Sequence, residues 1–125
     1  MLERYADRIF AELSSLLPEK WNRVVLFGLI LDGAYEISFY VKSSNTSKYQ
    51  DDYTLQTQKL FTEQTLDSAV RNIWKLCCEA QNQVEGEKWK SFTLTVEHTG
   101  HFSIDYGYEE EIVDKWDEWR EKYLV

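Results

Sequence analysis

Apolar residues recur along this chain of 125 residues at two spacings, and each spacing predicts a different kind of element. Steps of three and four residues with charged residues between them are typical of helices that bury one face. Such steps mark three segments: residues 2–17, residues 62–84 and residues 109–122. Pro18 is expected to end the first helix, and Thr62 is expected to cap the second.

The first two helices are separated by the pattern of a β-hairpin. Residues 22–31 form an almost continuous apolar run, which predicts a buried strand. Asp32 and Gly33 follow, and this pair predicts a tight turn because glycine accepts a positive φ. Polar and apolar residues then alternate over residues 34–42, as they do in a strand with one buried face.

A second hairpin is predicted over residues 91–106, where the alternation changes direction at Thr99 and Gly100. Residues 43–61 are polar, have no sustained period and predict a long connection. The order of elements is α-β-β-α-β-β-α. We therefore expect an α+β fold, a four-stranded antiparallel sheet with helices packed mainly on one face, in a single domain over residues 1–125.

Charge narrows the range of partners. The formal net charge is −8, which disfavours binding to nucleic acid or to an anionic membrane because phosphate repels it, and favours a cationic protein partner. No leader pattern and no long apolar run is present, so we expect a cytoplasmic protein. Cys77 and Cys78 are adjacent, fit no zinc spacing, and are expected to be reduced thiols.

Motifs for catalysis are missing from the sequence. It contains no glycine-rich nucleotide loop, nucleophile elbow or metalloprotease motif. His98 and His101 flank Gly100, but no third ligand follows at a recognisable spacing, so exposed turn histidines are the simpler interpretation. We expect neither an enzyme nor a metal site nor a cofactor. A small enzyme would instead show a deep pocket with convergent polar groups.

Acidic residues are concentrated near the C-terminus. Between Asp105 and Lys122 there are eight carboxylates and three basic groups, a local net charge of −5. Acids at a helix N-terminus suit the helix dipole, so a solvated helix face is one interpretation. A docking surface for a basic partner is the other, since like charges four residues apart repel one another and still recur here.

Three sequence segments resemble the YezG-type immunity proteins, which are antitoxins of bacterial toxins. They are "LLPEKWNRVVLFGLILDG", "WKSFTLTVEHTGHFSIDYGYE" and "WREKYL". The second contains Phe102, Asp105, Tyr106 and Tyr108. The resemblance implies a non-enzymatic cytoplasmic protein that binds and neutralises a cognate toxin domain, in some cases a nuclease. It assigns no catalytic residue, and the polar segment 43–61 is a departure from the family.

A nuclease must present a basic cleft to hold phosphate, so an acidic immunity protein suits such a partner. The predicted contacts with the toxin combine the C-terminal carboxylates with three tyrosines: Asp105, Glu109, Glu110, Glu111, Asp114, Asp117, Glu118, Tyr49, Tyr106 and Tyr108. For Tyr106, core packing is an equal alternative, because it shares its alternation with Phe102 and Ile104. The alternative function is a cytoplasmic adaptor or chaperone for a secreted effector.

Overall fold

A five-stranded antiparallel sheet forms the centre of the computed structural model, which describes residues 2–44, 46–109 and 115–125. The strands are β1 (Trp21–Leu31), β2 (Ala34–Ser43), β3 (Tyr49–Asp51), β4 (Ser91–Glu97) and β5 (Phe102–Gly107). Their order across the sheet is β3-β2-β1-β4-β5. The long apolar strand β1 is therefore central, and both predicted hairpins are confirmed.

The helices of the described ranges are a short 3-10 helix at Leu2–Tyr5, α1 (Ala6–Ser14), α2 (Asp52–Thr57), α3 (Glu63–Asn82) and α4 (Trp116–Tyr123). The predicted cap of α3 is confirmed, because the Thr62 side chain accepts a hydrogen bond of 3.1 Å from the Thr65 amide. The helix over residues 109–122 was predicted too long at its start. Glu109 lies outside any helix, and residues 110–114 lie outside the described part of the chain.

The prediction of four strands is wrong, since β3 adds a fifth. It pairs with β2, where Tyr40 faces Asp51 and Lys42 faces Tyr49. Helix α2 follows at once, because the Asp51 side chain caps it by accepting a 2.8 Å hydrogen bond from the Thr54 amide. Both elements lie in the segment predicted to be a long connection. Elements this short have too few residues to show a period.

The larger core lies on the first face of the sheet, beneath α1, α2 and α3. Its largest fully buried side chains include Trp89, Phe92, Phe39 and Leu55. The alternation predicted for β2 is confirmed, because Phe39 faces this core while Tyr40 faces the opposite side. Burying this apolar surface supplies the main driving force for folding.

The second face of the sheet carries a smaller core beneath α4. Val25 and Phe27 of β1 are buried against Trp119, with Trp116 and Tyr123 packed at the margin. The helices therefore cover both faces, with α4 alone among the described helices on the second. The continuous apolar run of β1 explains this arrangement, because neighbouring residues of a strand point to opposite faces and both sets need cover.

Candidate protein-interaction site

Hydrogen bonds from three strands hold α4 to the second face of the sheet. The Trp119 indole donates to the Thr93 hydroxyl of β4 at 2.9 Å, and this bond is buried. The Tyr123 hydroxyl donates to a carboxylate oxygen of Asp105 in β5 at 2.6 Å. Arg23 of β1 donates to the Tyr123 carbonyl at 3.3 Å. The helix is thus tied to the sheet at two of its turns.

The other two strands contact the same C-terminal segment. The Tyr40 ring of β2 lies 5.5 Å from the Trp119 ring, centroid to centroid. The Tyr49 hydroxyl of β3 donates to the Val125 carbonyl at 3.2 Å, and Lys42 lies 5.9 Å from the Tyr49 ring centroid. Tyr49, a predicted toxin contact, is half-buried and joins the chain end to the sheet edge.

Asp105 and Tyr123 form the exposed part of this attachment. Asp105 points to the second face from the edge strand β5, as the alternation predicts. Partial burial raises the pKa of Tyr123 above its usual range, and the bond to the Asp105 carboxylate raises it further. The phenol is therefore neutral at physiological pH and remains a donor. The hydrogen bond from Tyr123 uses one of the two carboxylate oxygens of Asp105.

Glu109 follows β5 and pairs with Lys115, with 2.9 Å between the carboxylate oxygen and the ammonium nitrogen. The hydrogen bond to Lys115 lowers the pKa of Glu109, and the same bond raises the pKa of Lys115. Both side chains are open to solvent, which screens their attraction. This ion pair connects Glu109 with Lys115, the described residues on either side of residues 110–114.

The outer face of α4 carries carboxylates that point into solvent. Asp117 and Glu121 lie one turn apart, opposite the buried Trp119, and Glu118 lies beside them. All three are exposed, and none makes an ion pair within residues 2–44, 46–109 and 115–125. We call Asp105, Glu109, Asp117, Glu118 and Glu121 the C-terminal acidic surface. The predicted contacts Glu110, Glu111 and Asp114 lie outside the described residues.

The predicted tyrosine contacts of β5 and its end have different surroundings. Tyr106 packs against Trp89, with ring centroids 5.6 Å apart, and its hydroxyl accepts a 3.0 Å hydrogen bond from the Leu2 amide. Burial raises the pKa of Tyr106, and its packing matches the core alternative. Tyr108 is 42% exposed. Tyr108 is therefore the more accessible of the two to a partner.

Exposed aromatic residues that were not among the predicted contacts include Tyr53 and Phe102. Tyr53 of α2 is 71% exposed, and Phe102 of β5 is 41% exposed. The sequence signal for Tyr53 was its place directly after the two adjacent carboxylates Asp51 and Asp52. Phe102 gave no such signal, because it shares the apolar alternation of its strand, and only the sheet order makes β5 an edge.

The described residues offer little that would support chemistry. His98 and His101 are both exposed at the β4–β5 turn, and no group of three His, Cys, Asp or Glu side chains is close enough to hold a metal within the ranges that the structure describes. Burial raises the pKa of the Cys77 thiol and of the Cys78 thiol. Both thiols are therefore protonated at neutral pH and are weak nucleophiles.

The comparison with known families identifies the class of protein. The family model described as "Immunity protein YezG-like" matches residues 2–124, which is nearly the whole chain. The chain belongs to the YezG-like immunity protein family, and the resemblance seen in its sequence is confirmed. In the parts of the chain that the structure describes, no helix has both the length and the apolarity to cross a membrane.

Two curated relatives carry the name "Immunity protein YezG". One, from Bacillus spizizenii, is 27% identical over 112 residues, which cover 87% of this chain and 70% of the relative. The other, from Bacillus subtilis strain 168, is 18% identical over 109 residues, which cover 85% of this chain and 72% of the relative. Both matches extend over most of the chain.

Proposed function

We propose that this protein acts in the cytoplasm as an immunity protein that binds the toxic domain of a cognate bacterial toxin and blocks it. We further propose that the toxin is a nuclease and that the C-terminal acidic surface covers its basic cleft. The family membership supports the general role. The observation that carries the specific proposal is the set of exposed carboxylates at Asp117, Glu118 and Glu121, which make no ion pair with any residue that the structure describes.

The charge of the molecule suits this target. A nuclease holds the phosphates of its substrate with lysine and arginine, and an inhibitor with net charge −8 is attracted to that cleft from a distance. Exposed carboxylates also discourage binding to acidic proteins, which gives selectivity. The same charge keeps the inhibitor away from nucleic acid, so it does not compete for the substrate of the toxin.

The attachment of α4 to the sheet prepares the acidic surface for binding. Trp119 is buried and hydrogen-bonded, and Tyr123 is bonded through both its hydroxyl and its carbonyl. A helix held in this way loses little conformational entropy when a partner binds its outer face. Tyr108 lies close in sequence to Glu109, and its exposed ring is suited to anchor the contact.

The proposal is tested by reversing charge on α4 and comparing the result with an equal change elsewhere. The variant D117K/E121K changes two exposed acids four residues apart on the outer face of α4. The control E63K/D67K changes two exposed acids four residues apart at the start of α3, on the other side of the sheet. Both variants have the same net charge, and both exchange a pair of acids four residues apart for a pair of lysines at the same spacing, so the repulsion along the helix is similar before and after the change.

We expect D117K/E121K to bind the toxin domain encoded beside its gene about 100-fold more weakly than E63K/D67K does, because charge pairs at interfaces contribute about 1.5 kcal/mol or more each. Cells that produce the toxin should be protected less well by D117K/E121K than by E63K/D67K. Affinity is measured by calorimetry and folding by thermal unfolding. Equal affinities for the two folded variants would place the toxin-binding surface elsewhere.

A further inference from the structure

Within the described residues, strand β5 is an edge strand of the sheet. It pairs with β4 on one side, and the order of the strands leaves nothing described on its other side. Glu97 donates its amide to the His101 carbonyl at 2.9 Å, which makes this pair a hydrogen-bonded one. Bonded and non-bonded pairs alternate along an antiparallel ladder, so the amides and carbonyls of Phe102, Ile104 and Tyr106 point outward.

An apolar groove of about 230 Å³ lies beside the start of this edge, on the first face of the sheet. Its walls include Phe10, Trp21, Val96 and Phe102, and the rings of Phe10 and Trp21 are 5.6 Å apart. A bulge in β1 between Trp21 and Arg23 places the Trp21 ring on this face, while Arg23 points to the other. The groove has the size of one long side chain.

Negative charge surrounds the groove and the edge. Asp7 of α1 lines the groove, and none of the residues described around it is a lysine or arginine. Asp105 lies on the opposite face of β5, and Glu109 follows the strand. A segment added along this edge would therefore have a carboxylate on each side. These charges also oppose pairing between two copies of the chain, each with net charge −8.

We propose that an extended, positively charged segment of the toxin adds to the sheet along β5. Its backbone pairs with the outward groups of Phe102, Ile104 and Tyr106, as in strand addition at other sheet edges. A lysine or arginine of this segment lies in the groove, with its aliphatic stem against Trp21 and Phe102 and its charge toward Asp7. This inference rests on the proposed function and adds a second contact region to it.

Amide exchange measured by NMR tests the pairing residue by residue. The ligand is the inactivated toxin domain encoded beside the gene, added to saturation. We expect the amides of Phe102, Ile104 and Tyr106 to exchange at least about tenfold more slowly in the complex, because they gain partners. The amides of Ser103 and Asp105 are internal controls, since they already face β4. Unchanged exchange at the three outward amides would overturn the proposal.

Two substitutions at Phe102 separate the backbone contact from the ring. Phe102→Ala removes the ring, and Phe102→Pro removes the ring together with the outward amide. Proline is tolerated at the first residue of a strand when its nitrogen faces outward. We expect Phe102→Pro to bind the toxin roughly three- to tenfold more weakly than Phe102→Ala, because Phe102→Pro also loses one backbone hydrogen bond to the toxin. Equal affinities of the two folded variants would contradict strand addition.

Asp7 tests the charge of the groove against a matched position. Asp7→Lys and Glu63→Lys each reverse an exposed acid in the first turn of a helix, so they cost similar helix-dipole energy. We expect Asp7→Lys to weaken toxin binding about tenfold, as rim charges near a cationic partner do, and Glu63→Lys to leave it unchanged. Equal binding by both variants would show that no cationic side chain of the toxin lies in the groove.

The two proposals fail in different ways. If D117K/E121K loses binding while the outward amides of β5 are unprotected in the wild-type complex, the proposed function stands and strand addition is wrong. If those amides are protected while D117K/E121K binds as its control does, the edge binds the toxin and the role of α4 is wrong. If the toxin domain does not bind at all, the proposed function itself is wrong.

Discussion

At the scale of single residues, Tyr123 attaches the acidic surface to the sheet through two hydrogen bonds. Its hydroxyl reaches Asp105 on β5, and its carbonyl accepts from Arg23 on β1. The side chain also packs on Trp119, with ring centroids 5.4 Å apart. One tyrosine therefore joins the last turn of α4 to two strands. The bond of Tyr123 to Asp105 could not be predicted from the sequence, because it depends on which face of the sheet α4 covers.

The raised pKa of Tyr123 leads to a prediction about the stability of the fold at alkaline pH. Folding raises the pKa of Tyr123 above its ordinary value of 10.0, through burial and then through the bond to Asp105. The folded state thus favours the neutral phenol, and this stabilisation is present below about pH 10 and is lost as pH rises through the folded-state pKa. Tyr123→Phe removes the hydroxyl, so we expect it to unfold about 1 kcal/mol more easily at pH 7.

Urea unfolding at pH 7 and at pH 11 measures this effect. We expect the difference in unfolding free energy between wild type and Tyr123→Phe to shrink at pH 11, because the wild type alone loses this contribution. Tyr106 has a raised pKa in both proteins, so its effect cancels in the difference. A difference that stays constant from pH 7 to pH 11 would show that folding does not raise the pKa of Tyr123.

At the scale of elements, α4 stands apart from the other described helices because it alone packs on the second face. Its docking core is small, and Trp119 is its central side chain at 6% exposure. The rings of Phe27 and Trp116 lie 5.6 Å and 5.0 Å from the Trp119 ring. The orientation of the acidic surface therefore depends on this one buried indole.

Truncation of Trp119 is expected to release α4 while the sheet stays folded. Trp119→Ala removes the indole and the bond to Thr93, and should cost about 3–5 kcal/mol of the docking free energy. Hydrogen exchange is expected to speed up in α4 but not in β1, and toxin binding to weaken with it. Trp74→Ala, which removes the ring stacked on Tyr35 on the first face, is the matched control. Equal exchange of α4 in both variants would contradict this account.

The elements that the sequence predicted well are those with a local cause. The hairpin turns at Gly33 and Gly100, both with positive φ, and the Thr62 cap of α3 follow from a few neighbouring residues. The strand β3 does not, because it exists only through pairing with β2. The cap of α2 was visible as Asp51, but a helix of six residues has too short a pattern to be recognised.

The sequence carried a signal for the placement of α4 that the prediction of helices mainly on one face did not use. Residues Val24 to Phe27 are consecutive and all buried. A strand with apolar residues at consecutive positions exposes apolar side chains on both faces of the sheet. At least one amphipathic helix therefore had to pack on the second face. The three acids Glu110, Glu111 and Asp114 remain predictions, since they lie outside the described residues.

At the scale of the whole molecule, we propose that the net charge of the protein and the shape of its surface have different roles in binding the toxin. We propose that the net charge of −8 attracts a cationic partner and that the exposed acids of α4 and the outer edge of β5 determine where this partner binds. The two regions are joined through Asp105, which lies on β5 and bonds to α4. A toxin domain that contacts both would be held across one end of the sheet.

The most direct measurement is a titration of the cognate toxin domain, the one encoded beside the gene, with this protein while its nuclease activity is followed. We expect activity to fall in proportion to the protein added and to reach background at about one equivalent, as tight one-to-one inhibition requires. The E63K/D67K control should give the same endpoint, and D117K/E121K should need a large excess. Full nuclease activity at tenfold excess of the wild-type protein would contradict the role in immunity proposed for this chain.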